Sequence, residues 1–477
     1  MNVDVEAVSI VLNNLSDIRL SGPPGQAEKN SPTWMMEVLP IQMERRADMD
    51  TGMRLKYHRL KKRFSMEETA SGIISSKELK KIESGLKEPA LKELEALCKK
   101  LEIPLAAKDN PIGKVLVKNF KNSLLHPQNK GKIMEHYADI CNHPLLRADE
   151  DVELEFDIQQ IRYFIITGDL ESAENKIKEM DRFKEFMDQE QYYLYHKYNG
   201  NYNYILNDFE TALKTYLIAE KIIPKSISAA EVGDLYYSIG ISSNHCEEHE
   251  LAFKYSELAL KIYQQEFVPK RIVECHLNIA ITHEYFGNYK LSLEHHKNAL
   301  TIGSKLDIDI LKFTTEYNVG YSNFIYQQYE EAIPHLNNAL KYIPNEYLAD
   351  CISTYCLLIR SYLEIDDRVK AEKAVKEGTE KVKAKDLGLD SPANTSFRNV
   401  YMEFVALTYL LEGDEKGFED ILLNELVKTF EESNSFHDLG YYFGYLGNLY
   451  FRQERYKESA IMLEKSKDAY KAVLNIS

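Results

Sequence analysis

A chain of 477 residues exceeds what one ordinary hydrophobic core holds, so it is either several domains or a stack of repeats. Its mean hydropathy of −0.41 is that of a soluble globular protein, and it has neither an apolar run of about 18 residues nor a basic-then-apolar leader, which argues against a membrane span and secretion and for the cytoplasm. The net charge of −16 is uneven: residues 53–105 hold 13 Lys and Arg against 8 Asp and Glu, so only this small module suits an anionic polymer.

Residues 1–52 contain the turn-rich stretch Ser21–Gln26 and the only Trp, Trp34, in an isolated apolar patch. That composition predicts a disordered extension or an over-long start, with Met53 or Met49 as the natural beginning. Residues 53–105 predict five short helices. The first, Met53–Arg63, is basic and amphipathic. Ser65 caps the second, with Glu67 and Glu68 in its first turn. The third runs from Ser76 to Glu83 and stops at Gly85. Pro89 opens the fourth, and Ile103-Pro104 leads into a fifth. Ala70, Ile73, Leu79, Ile82, Leu94 and Leu97 are spaced to form a mini-core.

The run Ile82-Glu83-Ser84-Gly85, then Pro89, Leu94 and Leu97, resembles the helix-turn-helix of the phage-repressor and Xre class over about 50 residues. The resemblance implies that the third helix enters the major groove of double-stranded DNA. Its exposed positions here are Ser76, Lys77, Glu78, Lys80 and Lys81, where lysine and serine can read base edges and lysine neutralises phosphate. Arg54, Lys56, Arg59, Lys61, Lys62 and Arg63 on the first helix are expected to touch the DNA backbone. The class often has Gln at the start of the second helix; this chain has Met66, so that anchoring contact is either weaker or supplied by Ser65.

Residues 106–150 predict a connector of two modest helices broken by Pro111, Pro127, Gly131 and Pro144. From residue 151 to 477 a pattern recurs every 39 to 40 residues: Ala212, Ala252, Ser292, Ala332 and Ala371 each follow Gly200, Gly240, Ala280, Gly320 and Ile359 by twelve. Ala173, Gly417 and Ser459 extend the series, and the longer interval between Ala371 and Gly417 holds a predicted surface loop, Leu387–Thr395. Such a period signals helical hairpins stacked side by side. The small residues mark where the two helices of a hairpin touch, with Tyr329 and its equivalents filling the turn. This closely resembles the tetratricopeptide repeat, with longer helices. The expected fold is therefore all-α: an N-terminal helix-turn-helix followed by a right-handed superhelix of tetratricopeptide-like repeats.

A superhelix of this kind has a concave face made by the first helix of each hairpin. The positions projecting inward include Asn201, Tyr204, Asn244, His245, Glu284, Tyr285, Tyr321, Phe324, Arg360, Asn448 and Arg452. Asn278 and Asn318 precede the small residue by two in successive repeats. A carboxamide both donates and accepts, so an Asn ladder can hold the backbone of an extended peptide. The alternative is that these Asn tie helices together, since buried polar groups are normally paired.

A helix-turn-helix joined to a long tetratricopeptide array resembles the Rap/Rgg–NprR–PlcR–PrgX family of peptide-pheromone receptors, most of all its NprR and Rap members. The resemblance implies a cytoplasmic, homodimeric transcription regulator that binds an operator and is controlled by a short signalling peptide, set here at Asn201, Asn244, Asn278, Tyr285, Asn318, Tyr321, Arg360, Asn448 and Arg452. Its alternative is a Rap-like phosphorelay modulator with a response regulator as partner, for which Gln128, Gln159 and Gln160 are poor catalytic candidates. The histidines at 245, 249, 276, 283, 295 and 296 invite a metal, yet no HExxH, Cys pair or carboxylate triad accompanies them. The six cysteines (Cys98, Cys141, Cys246, Cys275, Cys351, Cys356) read as reduced. No phosphate-binding loop or nucleophile elbow is present, so no catalytic residue, metal or cofactor is assigned.

Overall fold

The computed structural model describes residues 49–106, 108–125, 130–143, 149–344, 347–383, 395–433 and 435–474, and every regular element among them is helical. Residues 1–48, with Trp34, lie outside the described residues, as does nearly all of the Leu387–Thr395 loop. Two compact units divide the described chain after Ser242.

The first unit opens with α1 (Thr51–Lys61), α2 (Met66–Ala70), α3 (Ser76–Glu83) and α4 (Leu91–Leu101). Asp50 caps α1 by accepting the Met53 amide at 2.8 Å. Ser65 accepts the Glu68 amide at 3.1 Å while Glu68 accepts the Ser65 amide at 2.7 Å, a reciprocal box that satisfies two otherwise orphaned donors. Ser75 caps α3, and Gly85, at φ +72°, follows its end as expected. Leu55, Ala70, Leu79, Ile82, Leu97, Cys98 and Leu101 form the buried mini-core, with Ile73, Leu94 and Ile103 packed against it. Gly52 lets α1 lie on the end of α3: a Cβ there would meet the Ile82 carbonyl oxygen at 2.0 Å. The expected fifth helix does not form. Residues 102–106 run irregularly because the Pro104 and Leu105 carbonyls turn to accept hydrogen bonds from Arg54.

The connector follows as α5 (Pro111–Leu125) and α6 (Lys130–Cys141), packed on α7 (Glu150–Thr167) through Val117, Phe120, Ile133, Ile140, Val152 and Phe156. Hairpins α7/α8 (Leu170–Met180) and α9/α10 (Gln189–Ile205, Phe209–Lys221) come next, then most of α11 (Ala229–His245). The second unit consists of α12 (His249–Gln265), α13/α14 (Pro269–Tyr285, Tyr289–Gly303), α15/α16 (Asp309–Ile325, Tyr329–Tyr342), α17/α18 (Leu348–Glu364, Arg368–Lys383), α19 to α21 (Thr395–Glu412, Glu415–Ile421, Val427–Glu432) and α22/α23 (Phe436–Arg452, Tyr456–Leu474).

The expected small positions are where hairpin helices touch. Ala173, Ala212, Ala252, Ser292, Ala332 and Ala371 have no exposed surface. A Cβ on Gly320 would stand 2.9 Å from the Leu336 side chain, and one on Gly200 would stand 2.5 Å from the Tyr216 ring. A second period escaped the sequence reading. The turn inside each hairpin carries one left-handed residue, at Gly168, Asn207, Glu247, Gly287, Gln327, Asp366, Gly413 and Glu454. Only three of these are glycine, so the signal is hidden behind side chains that tolerate positive φ at a cost.

Candidate functional site: a DNA-reading helix and a repeat groove

Helix α3 presents the features of a reading helix. Leu79 and Ile82 anchor it in the mini-core, which turns Lys77, Lys80 and Lys81 outward as exposed side chains and leaves Ser76 and Glu78 half-buried. The Glu78 carboxylate accepts a hydrogen bond from Lys87, and that bond holds it below the usual carboxylate range. Ser65 is exposed; its oxygen accepts the capping amide and its hydroxyl also bonds the Glu68 carboxylate.

Helix α1 does not do what its charge suggested. Arg54, Arg59 and Lys61, expected to meet DNA phosphates, are instead turned onto the protein, whereas Lys56 and Lys62 sit in partly exposed pairs and Arg63, just past the helix, is exposed. Arg59 is 7% exposed and gives two parallel hydrogen bonds to Glu83, at 2.7 and 2.8 Å. Lys62 pairs with Glu102. Arg54 reaches Glu150 at 2.5 Å, and His58 Nε2 lies 2.8 Å from the same carboxylate oxygen. Lys61 pairs with Asp157 and Glu179, and Lys56 with Glu185 at 2.5 Å. Tyr57 is fully buried, its hydroxyl 3.1 Å from Glu153 and its ring edge-on to Phe183 and Phe186. The partners Glu150, Glu153 and Asp157 recur at helical spacing on α7, so one face of the first repeat grips one face of α1. Burial would raise the Glu150 carboxyl; the His58 hydrogen bond and the Arg54 charge outweigh it and hold the group below its usual range. Glu153 goes the other way: burial raises it and Lys61 offsets only part. Nothing in the sequence marked this contact, because the two charge stripes lie about a hundred residues apart.

The expected groove residues divide into three groups. Asn244 and Asn278 are buried and serve each other. Asn244 Nδ2 donates to Asn278 Oδ1 at 2.8 Å, and Asn278 Nδ2 donates to Ser256 Oγ at 2.6 Å. They tie α11, α12 and α13 together, so the expected peptide contacts at these two positions are corrected to structural bonds. Tyr285 is 8% exposed and stacks on His249 with centroids 3.8 Å apart. Arg360 is likewise removed from the ligand set. It is 1% exposed, pairs with Glu403 at 3.1 Å and Asp438 at 2.7 Å, and lies over the rings of Phe324, Tyr441 and Tyr442. This cage joins α15, α17, α19 and α22; burial works against the Arg360 charge, and Asp438, Tyr442, Glu403 and Tyr441 together outweigh it and keep the guanidinium protonated. Glu284 is buried too, accepting from Ser292 at 2.7 Å and Ser322 at 3.1 Å. Asn201 and Asn318 are half-buried: Asn201 accepts from Tyr216 at 2.8 Å, and Asn318 donates to its own helix at Thr314. Tyr321, half-buried, lies parallel to Tyr317 with centroids 6.3 Å apart. Asn448 and Arg452 are exposed.

Gln159 is wholly buried, donating to Glu155 at 3.0 Å and accepting from Tyr198 at 3.1 Å, while Gln160 donates to Tyr137; Gln128 lies outside the described residues. His276 and His295 face each other through their Nδ1 atoms at 3.0 Å, and His296 lies 3.2 Å from Glu284. Among the described residues no group of three or more His, Cys, Asp or Glu is arranged to hold a metal ion, and no helix is long and apolar enough to cross a membrane.

The tetratricopeptide-repeat family matches residues 441–477. The chain is 26% identical over 417 residues to the transcriptional activator NprA of Geobacillus stearothermophilus, covering 85% of this chain and the whole of that one. It is 23% identical over 207 residues to response regulator aspartate phosphatase E of Bacillus subtilis, covering 42% of this chain and 54% of that one. Its fold is that of the quorum sensor NprR. The apo form from B. thuringiensis superposes with a TM-score of 0.62 at 17% identity, over 75% of this chain and 98% of that one. NprR in complex with its cognate peptide NprX gives 0.50 at 18% identity, over 77% and 99%.

Proposed function

We propose that this chain, a homologue of the NprR and Rap proteins in the peptide-pheromone receptor family, is a transcription regulator that reads an operator through α3 and takes a short signalling peptide in the concave face of its repeats. The observation that carries the first half is the division of charge in the N-terminal module. Arg54, Arg59 and Lys61 of α1 are spent on the protein, while Lys77, Lys80 and Lys81 stand exposed on α3, the helix expected to enter a major groove. NprR has been solved with its cognate peptide, and that supports the second half. With Asn244, Asn278, Tyr285 and Arg360 committed elsewhere, the peptide contacts proposed within the second unit are Asn318, Tyr321, Asn448 and Arg452. A homodimer follows from the two-fold operators that repressor-type modules read.

The clamp between α1 and α7 supplies a route for control. A peptide that binds two arrangements of the repeats unequally shifts their populations, and α1 carries α3 along with the first repeat. The test is a gel shift across a salt series with genomic fragments flanking the gene. Lys77→Ala/Lys81→Ala should abolish specific retention and flatten the salt slope by about 2. Retention by this double variant equal to that of the unmodified chain would reject the assignment of α3.

A further inference from the structure

The first unit contains a half-open cavity of about 480 Å³ that belongs neither to α3 nor to the groove residues above. Its walls are the connector helix α5, helices α7 and α9, and the loop 226–228 before α11. Val117, Val152, Leu194 and Ile227 make it apolar on several sides, and Glu155 and Glu190 enter from two different helices. A volume of this order, apolar with a few converging polar groups, is that of a small-molecule site.

The two carboxylates are not equally served. Glu190 accepts from Lys121 and, at 2.6 Å, from Ser226. Glu155 receives one hydrogen bond, from Gln159 at 3.0 Å, with Lys121 at 3.7 Å, although a carboxylate offers about four acceptor sites. Burial therefore pushes the Glu155 carboxyl above its usual range despite Lys121. Glu155 is half-buried at the cavity wall, so its remaining acceptor capacity is open to a donor on whatever enters the space. Lys118, exposed at the rim, disfavours a second positive charge on the guest.

We propose that this cavity binds a small ligand with a single primary ammonium beside a branched aliphatic group, the ammonium held by Glu155 and Glu190 and the aliphatic part against Val152, Leu194 and Ile227. The ligand reaches the DNA module through one helix. Val152 and Glu155 line the cavity, and Glu150, Glu153 and Asp157 of the same α7 grip α1. The site is independent of the signalling-peptide reading, since its occupant needs neither operator nor groove.

Calorimetry on the intact chain tests it with two probes. Leucyl-leucinamide stands for the amino terminus of a peptide, and 3-methylbutylamine for a free amine; N-acetyl-leucyl-leucinamide is the control. At least one amine should bind with Kd of about 1 mM or tighter, and which one does so identifies the source. Glu155→Gln should weaken that binding about tenfold, the worth of one charge-assisted contact. Ile227→Trp, on the loop that lines the cavity, should abolish it by filling the space. Absence of heat with both amines overturns the proposal. So does equal binding of the acetylated control, or undiminished binding in both variants.

Discussion

At the scale of single residues, burial decides which polar groups are free for a ligand. Asn278 looked like a peptide hook because it repeats with Asn318, yet it is 1% exposed and closed into a network with Asn244 and Ser256. Asn278→Ala should therefore destabilise the second unit by about 1–3 kcal/mol, the cost of orphaning a buried partner. Its thermal melting should fall while peptide affinity, measured where the variant is folded, stays level; the reverse pattern would restore Asn278 to the ligand set. His196 gives a second case. It is 5% exposed, neither ring nitrogen has a partner among the described residues, and burial, helped by the charge of Lys184, lowers its pKa to about 3. The native state thus binds no proton here between about pH 6.5 and 3, whereas the unfolded chain does, so stability falls as pH drops through that window. Denaturant titrations should show this group costing about 2 kcal/mol between pH 7 and pH 5. His196→Phe, which keeps the ring against Tyr192 and Tyr195, should lose that share of the acid sensitivity.

At the scale of elements, α1 is the piece whose role changed. A basic amphipathic helix beside a reading helix was expected to lie on DNA. Instead Arg54, His58 and Lys61 face Glu150, Asp157 and Glu179. Removing one member of a buried pair costs about 3–5 kcal/mol because the other is left uncompensated. Glu150→Ala should release α1, seen as faster amide exchange in α1 and α3 with little change beyond α13. Arg54→Met with Glu150→Leu should recover much of the protection, since apolar residues of similar size replace such pairs well. Exchange in α1 that is unaltered by Glu150→Ala would show that the aromatic contacts of Tyr57 hold the helix alone.

At the scale of the molecule, peptide and operator should be thermodynamically linked. If the peptide changes operator affinity by some factor, saturating operator must change peptide affinity by the same factor, typically about 5 to 150-fold. Calorimetry of peptide binding with and without operator checks this, and unequal factors would exclude control through a shared equilibrium. The net charge of −16 makes nonspecific attraction to DNA weak, so binding should depend on the few exposed lysines of α3 and on salt.

The repeat class, the position of each hairpin contact and the mini-core of the N-terminal module were legible in the sequence. They arise from local rules: helical periodicity, caps, and small residues wherever two helices approach. Gly320 and Ala332 had to be small whatever surrounded them. What only the tertiary structure decided was the fate of the polar groups. Whether Asn278, Arg59 or Arg360 meets a ligand or another side chain depends on which distant residue is folded beside it. Glu83, Ser256, Glu403 and Asp438 carry no mark of that pairing in the chain. A charge or a carboxamide reads the same in sequence whether it faces water or its partner; desolvation, which settles the matter, exists only once the chain is packed.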